Sequence, residues 1–321
     1  MQRRALSLLL GSLALPRQLL AQDFPARPLR LVSPFAAGGP SDVVARALAQ
    51  SLGETWRQPV VVENRVGAGG TIGADVVAKA SPDGHTLLLM NPGGLSIVQT
   101  LYGNLPFDMM RDLAPVTMVA VSPYVVAVPS SLLVRSLQEL VQLSRTRPGG
   151  LNLGSGGNGT VPHIASVAFQ EITGARWEHT PYRGDAAVLP DLLAGRIDVT
   201  IISVLAALPH LRSGALRGLA VTTAARSSFV PDLPTAKEAG VADFEYAAFQ
   251  AVWTTGGTPR PVIDRLQGDV VRALQTRPVQ ERLESQGASP HWTSPDAFAA
   301  WMRTETERNA RIIRTAGIKP T

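Results

Sequence analysis

The sequence predicts an α/β protein of two lobes, built on two mixed or parallel sheets with helices on both faces and a ligand cleft between the lobes. Three observations predict it. Short apolar runs alternate with amphipathic stretches along nearly the whole chain. The 321 residues suffice for two such units, each with its own core. Three glycine-rich turns, Gly38-Gly39-Pro40, Gly67–Gly73 and Gly154–Gly159, fall where a strand runs into a helix. Such turns aim backbone N–H groups at whatever sits beyond the strand ends, which is where α/β folds bind ligands.

The elements follow in order. Leu29–Pro34 reads as a strand, and Asp42–Gly53 as a helix with Val43, Val44, Ala47, Leu48 and Leu52 on one face. Val60–Glu63 is a near-continuous apolar strand, the pattern expected when both sheet faces are covered. Ile72–Ala80 reads as a helix and Thr86–Met90 as a buried strand. Within Met118–Pro129, Ser122-Pro123 interrupts the apolar run, which predicts a chain leaving one sheet and entering a second. The alternation then resumes with a helix at 136–147, a strand at 151–154, a helix at 161–172, a strand at 177–181 and a helix at 186–194. A strand at 199–203, a helix at 206–213 and a strand at 216–222 follow. Phe244–Thr255 reads as the return crossing, and helices at 261–275, 278–286 and 295–316 close the chain. The expected division is an export signal over 1–22, a first lobe from 23–122 and 248–321, and a second lobe from 123–247.

Composition narrows the function. Aromatics are only 5% and no dense Lys/Arg stripe occurs, which argues against a nucleic-acid partner. The net charge is +5, and removing Arg3, Arg4 and Arg17 with the first 22 residues leaves a balance of about +2. With no cysteine, disulfides, thiolate metal sites and cysteine nucleophiles are excluded. Arg3-Arg4 precede an apolar stretch from Ala5 to Leu15, which describes an export signal and also fits a degenerate twin-arginine signal. The stretch is too short to span a bilayer, so an exported protein is expected.

The turns carry the chemistry. The second starts as a dinucleotide loop would, but counting from Gly67 the sixth position is Ile72 rather than glycine, and a Walker lysine is missing. It still suits a backbone nest around an anion, with Thr71 at the helix start. In the third, Ser155, Asn158 and Thr160 are candidate hydrogen-bond donors. Ser155 with His163 is the rival reading, an exported serine hydrolase, although Leu153 replaces the glycine that a nucleophile elbow needs. No histidine sits in a metal-binding spacing. Tyr182 offers a hydroxyl to a ligand oxygen. Asp42 and Asp185, in first turns of helices, read as caps or complements of the helix dipole. Trp253, Trp292 and Trp301 read as packing residues.

Seven stretches together resemble one family. They are Pro34–Asp42 with Ala45-Arg46, Glu63-Asn64-Arg65 with Gly67–Gly70, Ser81-Pro82-Asp83-Gly84, Pro181-Tyr182-Arg183-Gly184, Asp191–Asp198, Leu208-Pro209-His210 and Ala316-Gly317-Ile318. Their order and spacing, from about Phe24 to Ile318, resemble the substrate-binding proteins of tripartite tricarboxylate transporters, the Bug family of periplasmic receptors. The resemblance implies a type II-like periplasmic-binding-protein fold that closes on a small organic carboxylate. It also implies delivery to a membrane permease, or in some systems to a sensor kinase, by a protein with no cofactor, no bound metal and no catalysis of its own. A hinged receptor of this kind is expected to act as a monomer.

Carried over, the resemblance places Phe35, Ala36, Ala37, Gly38, Gly69, Gly70 and Thr71 around the proximal carboxylate. Ser155, Gly156, Thr160, His163, Tyr182 and Gly184 would close from the second lobe. Ser41, Asn91, Asn158, Asp185 and Ser203 complete the candidate ligand-binding set. Two departures bear on the ligand. Ile202, followed by Ser203, stands where the family commonly has an Asp that would meet an ammonium, which disfavours an amino acid. Asp185-Ala186-Ala187 replaces Ala-Pro-Ala, and an acid at 185 would disfavour a second ligand carboxylate.

Overall fold

The computed structural model describes residues 24–319. The expected export signal, residues 1–22, lies outside the described residues. Strands and helices alternate as β1 (Leu29–Ser33), α1 (Pro40–Trp56), β2 (Val60–Asn64), α2 (Thr71–Ala78), β3 (Thr86–Met90), α3 (Pro92–Tyr102), α4 (Met109–Asp112) and β4 (Leu113–Pro129). They continue with α5 (Leu137–Thr146), β5 (Leu151–Ser155), α6 (Val161–Thr173), β6 (Trp177–Pro181), α7 (Leu189–Leu193), β7 (Val199–Ser203), α8 (Val204–Arg212) and β8 (Leu216–Val221). The chain ends with β9 (Ala247–Thr255), α9 (Arg260–Leu274), α10 (Arg277–Ser285), β10 (Ser289–Pro290) and α11 (Pro295–Thr315).

The first sheet runs β2-β1-β3-β9-β4, with β10 on β4, and the second runs β4-β7-β5-β6, with β8 on β4. Strands β1, β2 and β3 are parallel to one another, as are β5, β6 and β7, while β9 and β4 run antiparallel to their neighbours. The two sheets are joined: β4 is one strand of 17 residues shared by both. Its residues up to Pro123 pair with β9, and from Tyr124 onward they pair with β7 and β8. Ser122-Pro123 therefore marks a change of partners within a continuous strand rather than a gap between two strands. The chain returns beside it, where the Tyr246 N–H donates to Thr222 O at 2.9 Å just before β9 begins.

Several elements differ from the sequence reading: α4 and β10 were not expected, and β4 begins at Leu113 rather than Met118. β2 is an outer strand paired only with β1, and Val61 is 50% exposed, so its apolar run does not reflect cover on both faces. The helix α3 was not expected, because Pro92-Gly93-Gly94 reads as a turn; Asn91 caps it by accepting the Gly94 N–H at 2.8 Å, and Pro92 suits its first position. Helix 186–194 resolves into a 3-10 turn, Asp185–Ala187, and the short α7. Trp253 packs fully buried against Phe298, and Trp301 against Phe249, but Trp292 is 44% exposed and is not a core residue.

Each lobe has its own core. Leu29, Leu31, Leu48, Leu52 and Leu266 fill one face of the first sheet, and Val32, Leu88, Trp253 and Phe298 the other. Val126, Val128, Leu153, Phe169, Trp177 and Ile201 build the second lobe. That second core also contains Ile97 of α3 and Ile312 and Ile313 of α11, with Ile318 packed against it. α11 thus begins in the first lobe, with Phe298 and Met302, and ends in the second.

Candidate functional site

Parallel pairing brings the carboxyl ends of β1, β2 and β3 to one edge: Ser33 lies beside Asn64, and Val32 beside Leu88. The loops that follow therefore share that edge. The first, Phe35–Gly38, is held from below by two side chains. The buried Asp42 carboxylate accepts the Gly38 N–H at 2.9 Å, Arg46 Nε at 2.8 Å and Asn64 Nδ2 at 2.9 Å. The same Asn64 amide donates to Phe35 O at 2.9 Å. Burial pushes the Asp42 carboxyl up, but these hydrogen bonds outweigh it and hold the group at about 2. The Gly38 N–H, expected to face a ligand, is thus engaged by Asp42. Phe35 is half-buried, and Ala36 and Ala37 are exposed with no protein partner for their N–H groups among the described residues. Ser41 lies half-buried in the first turn of α1.

The second loop needs its glycines. Gly67, Ala68, Gly69 and Gly70 all have positive φ, at 137°, 46°, 64° and 98°. A side chain at Gly70 would sit 2.9 Å from Met90 Cε, and one at Gly69 would sit 2.9 Å from Val98 of α3. The Thr71 hydroxyl donates to Ala68 O at 2.9 Å, closing the loop on itself. Asn91 begins the third loop, its side chain turned back as the α3 cap.

The second lobe repeats the arrangement. Ser155 lies beside Pro181 and Gly154 beside Thr200, so the ends of β5, β6 and β7 form a second edge. Thr160 caps α6: its hydroxyl accepts the His163 N–H and donates to Gly157 O at 2.9 Å. The Gly159 N–H donates to His163 Nδ1 at 3.0 Å, which leaves the ring proton on Nε2. The His163 ring stacks on His179, centroids 3.9 Å apart. Burial first, and the neighbouring His179 second, hold His163 down at about 4; burial lowers His179 as well. Gly156 O accepts the Gly184 N–H at 3.0 Å, Ser203 caps α8, and Asn158 and Arg183 are exposed.

Two expectations at this edge change. The rival hydrolase reading paired Ser155 with His163, but Ser155 Oγ lies 2.6 Å from His179 Nε2, and Ser155 is only 1% exposed. The parallel register of β5 and β6, not proximity in sequence, made that pair. The Tyr182 hydroxyl, expected on a ligand, donates to Asp191 at 2.7 Å, and its ring packs against the cluster of Leu192, Ile197 and Leu216. Burial and the Asp191 bond push its hydroxyl up to about 12. The Asp185 side chain lies outside the described part of the structure.

The two edges meet. A side chain at Gly159 would sit 2.5 Å from Leu101, and one at Gly93 would sit 3.5 Å from Val161 Cγ2. Elsewhere, Gly287 leaves room for Leu205 of α8. The Asn91–Gly93 turn and α3 thus meet the Ser155–Val161 turn along one seam. Among the described residues, the arginines flanking these turns are bound elsewhere, Arg46 to Asp42, Arg65 to Glu63 and Arg196 to Asp191, while Arg183 is exposed. Such a seam can hold an anion through oriented N–H groups and hydroxyls. Sequence reasoning missed Asn64, His179, Gly93 and Val161, whose roles depend on register and on α3.

Comparison with known proteins agrees with this geometry. The description "Tripartite tricarboxylate transporter family receptor" matches residues 44–318. BugT of Bordetella pertussis is 37% identical over 300 residues, spanning 93% of this chain and 92% of that protein. The structure of R. palustris Rpa4515 with adipate is 35% identical and superposes with a TM-score of 0.75, covering 93% of this chain and all of that one. MatC from Rhodopseudomonas palustris, with bound malate, is 30% identical with a TM-score of 0.71, covering 90% of this chain and all of that one. The chain belongs to the tripartite tricarboxylate transporter receptor family, a family of periplasmic solute-binding proteins.

Proposed function

We propose that this receptor captures a small organic acid in the periplasm and delivers it to the permease of a tripartite transporter. The observation that carries the reading is the meeting of strand-end turns from the two lobes, Asn91–Gly93 and α3 against Ser155–Val161, with Phe35–Gly38 and Gly67–Thr71 on the same edge of the first sheet. Relatives of the same architecture hold adipate and malate. The ligand carboxylate is held by Ala36, Ala37, Gly69 and Thr160 through backbone N–H and hydroxyl groups, and lobe closure about the β4 crossing excludes water. Affinity falls in the low-micromolar range or tighter, on the order of −7 to −10 kcal/mol. An export signal over residues 1–22 accounts for the location. Solute binding rather than catalysis is supported by membership in a receptor family and by a Ser155 hydroxyl that is enclosed against His179 instead of pairing with His163.

A thermal-shift screen against mono-, di- and tricarboxylates, aromatic acids and amino acids tests the reading. One selective acid should raise the melting temperature at millimolar excess. A flat response across the panel, with no small molecule released on denaturation, would exclude a carboxylate receptor.

A further inference from the structure

A cavity of about 210 Å³ lies where α3, α6, α11 and the start of β9 come together. One wall is Gly93 and Val161, one residue from each lobe; the others are Tyr246 and Phe249 on the returning chain, and Trp301 and Arg308 on α11. Gly93 is two residues beyond Asn91, and Val161 directly follows Thr160. The cavity therefore adjoins two members of the candidate ligand set.

Its charged groups answer one another. Arg308 meets the Glu305 carboxylate at 2.5 Å, donates to Glu245 O at 3.1 Å and covers the Tyr246 ring at 4.2 Å. Glu305, 6% exposed, also accepts from Asn309 at 3.2 Å. A second ligand carboxylate would find the one arginine here already neutralised and Glu305 and Glu245 nearby to repel it. An ammonium would find both Glu305 oxygens engaged and the Tyr246 face covered, with the exposed Glu245 carboxylate left at the rim. The Thr304 hydroxyl is turned back onto Ala300 O, and Arg308 Nε is a buried donor without a partner. The rest of the lining is apolar: Val161, Ala247 and the edge-to-face pair Phe249–Trp301, 5.4 Å between centroids. Roughly 150 Å³ of apolar space is enough for a benzene ring.

We infer that this cavity receives the uncharged end of the bound acid, an aromatic ring or compact branched aliphatic group, so that the ligand is a monocarboxylate with an apolar tail. The inference rests on the carboxylate-receptor reading and assigns the tail rather than the head. It is tested by isothermal titration of the purified chain with phenylacetate, succinate and 4-aminobutyrate, with adipate and malate as reference acids. Phenylacetate is expected to bind at least tenfold more tightly than each of the others. Trp301→Ala, which enlarges the cavity, is expected to shift the ratio of 1-naphthylacetate to phenylacetate affinity at least tenfold toward the larger ring. If that variant does not fold, the wild-type ranking decides alone. A dicarboxylate or 4-aminobutyrate that equals or exceeds phenylacetate overturns the apolar tail and leaves the receptor reading standing. An unchanged ring-size ratio in folded Trp301→Ala overturns the placement of the tail. If none of the five binds while another acid of the thermal-shift panel stabilises the protein, the apolar tail is overturned and the receptor reading stands; silence across that whole panel, with no small molecule released on denaturation, overturns the receptor reading itself.

Discussion

At the scale of single residues, the stacked histidines make a prediction with a definite sign. Burial holds folded His163 down at about 4, whereas an unfolded histidine takes its proton near the ordinary value of 6.5. Between those values the unfolded chain binds more protons, so acid favours unfolding. Stability should fall as pH drops through that window, by on the order of 3 kcal/mol for this group. Urea denaturation at pH 7.5 and pH 4.5 measures the loss, and His163→Gln should remove much of the slope; an unaltered slope in that variant would assign it elsewhere. How far such residues can be read from sequence depends on what positions them. The glycines at 67, 69 and 70 are legible because positive φ leaves few alternatives. The Ser155–His179 contact is not, because it spans 24 residues and exists only in the β5–β6 register. The Asp42 carboxylate was legible as a helix-start acid, but its hold on Asn64 and Gly38 depends on β1 and β2 lying side by side.

At the scale of elements, α3 does the most and was least visible. Pro92-Gly93-Gly94 signals a turn locally, yet the helix that follows packs between the Gly69 loop and the Gly159 loop. Tertiary contacts, not propensity, hold it there. Losing its cap by Asn91→Ala should cost about 1 kcal/mol in urea denaturation, while Asn91→Ser should retain most of the stability. If serine is as damaging as alanine, the side chain matters for something other than capping. The strands and the other long helices were legible because apolar periodicity survives wherever one face is buried, as in β3, buried along its whole length. The β2 run misled because its valines gain cover from α1 and β1 alone.

At the scale of the whole molecule, the cores of the two lobes are tied together by α11. Ile312 is fully buried in the second lobe's core, although its helix starts in the first. Ile312→Ala should cost roughly 2–5 kcal/mol. It should lower one unfolding transition shared by both lobes, and calorimetry that resolves two separate transitions would contradict that coupling. The two-lobed plan was legible from the repeated alternation and the Ser122-Pro123 interruption. The sharing of β4 was not, since a strand's partners are chosen by residues far away in the chain.

That shared strand limits how such a receptor can be recombined. A second lobe grafted from a relative would have to be spliced at three places: within β4 at Pro123–Tyr124, at Tyr246–Ala247 where the chain returns, and along α11, whose last turns pack into the grafted core. A transplant with only the first two junctions would bring in a core lacking the isoleucines that complete it. Ligand preference in this scaffold is therefore more readily altered by point changes around the seam than by exchanging whole lobes.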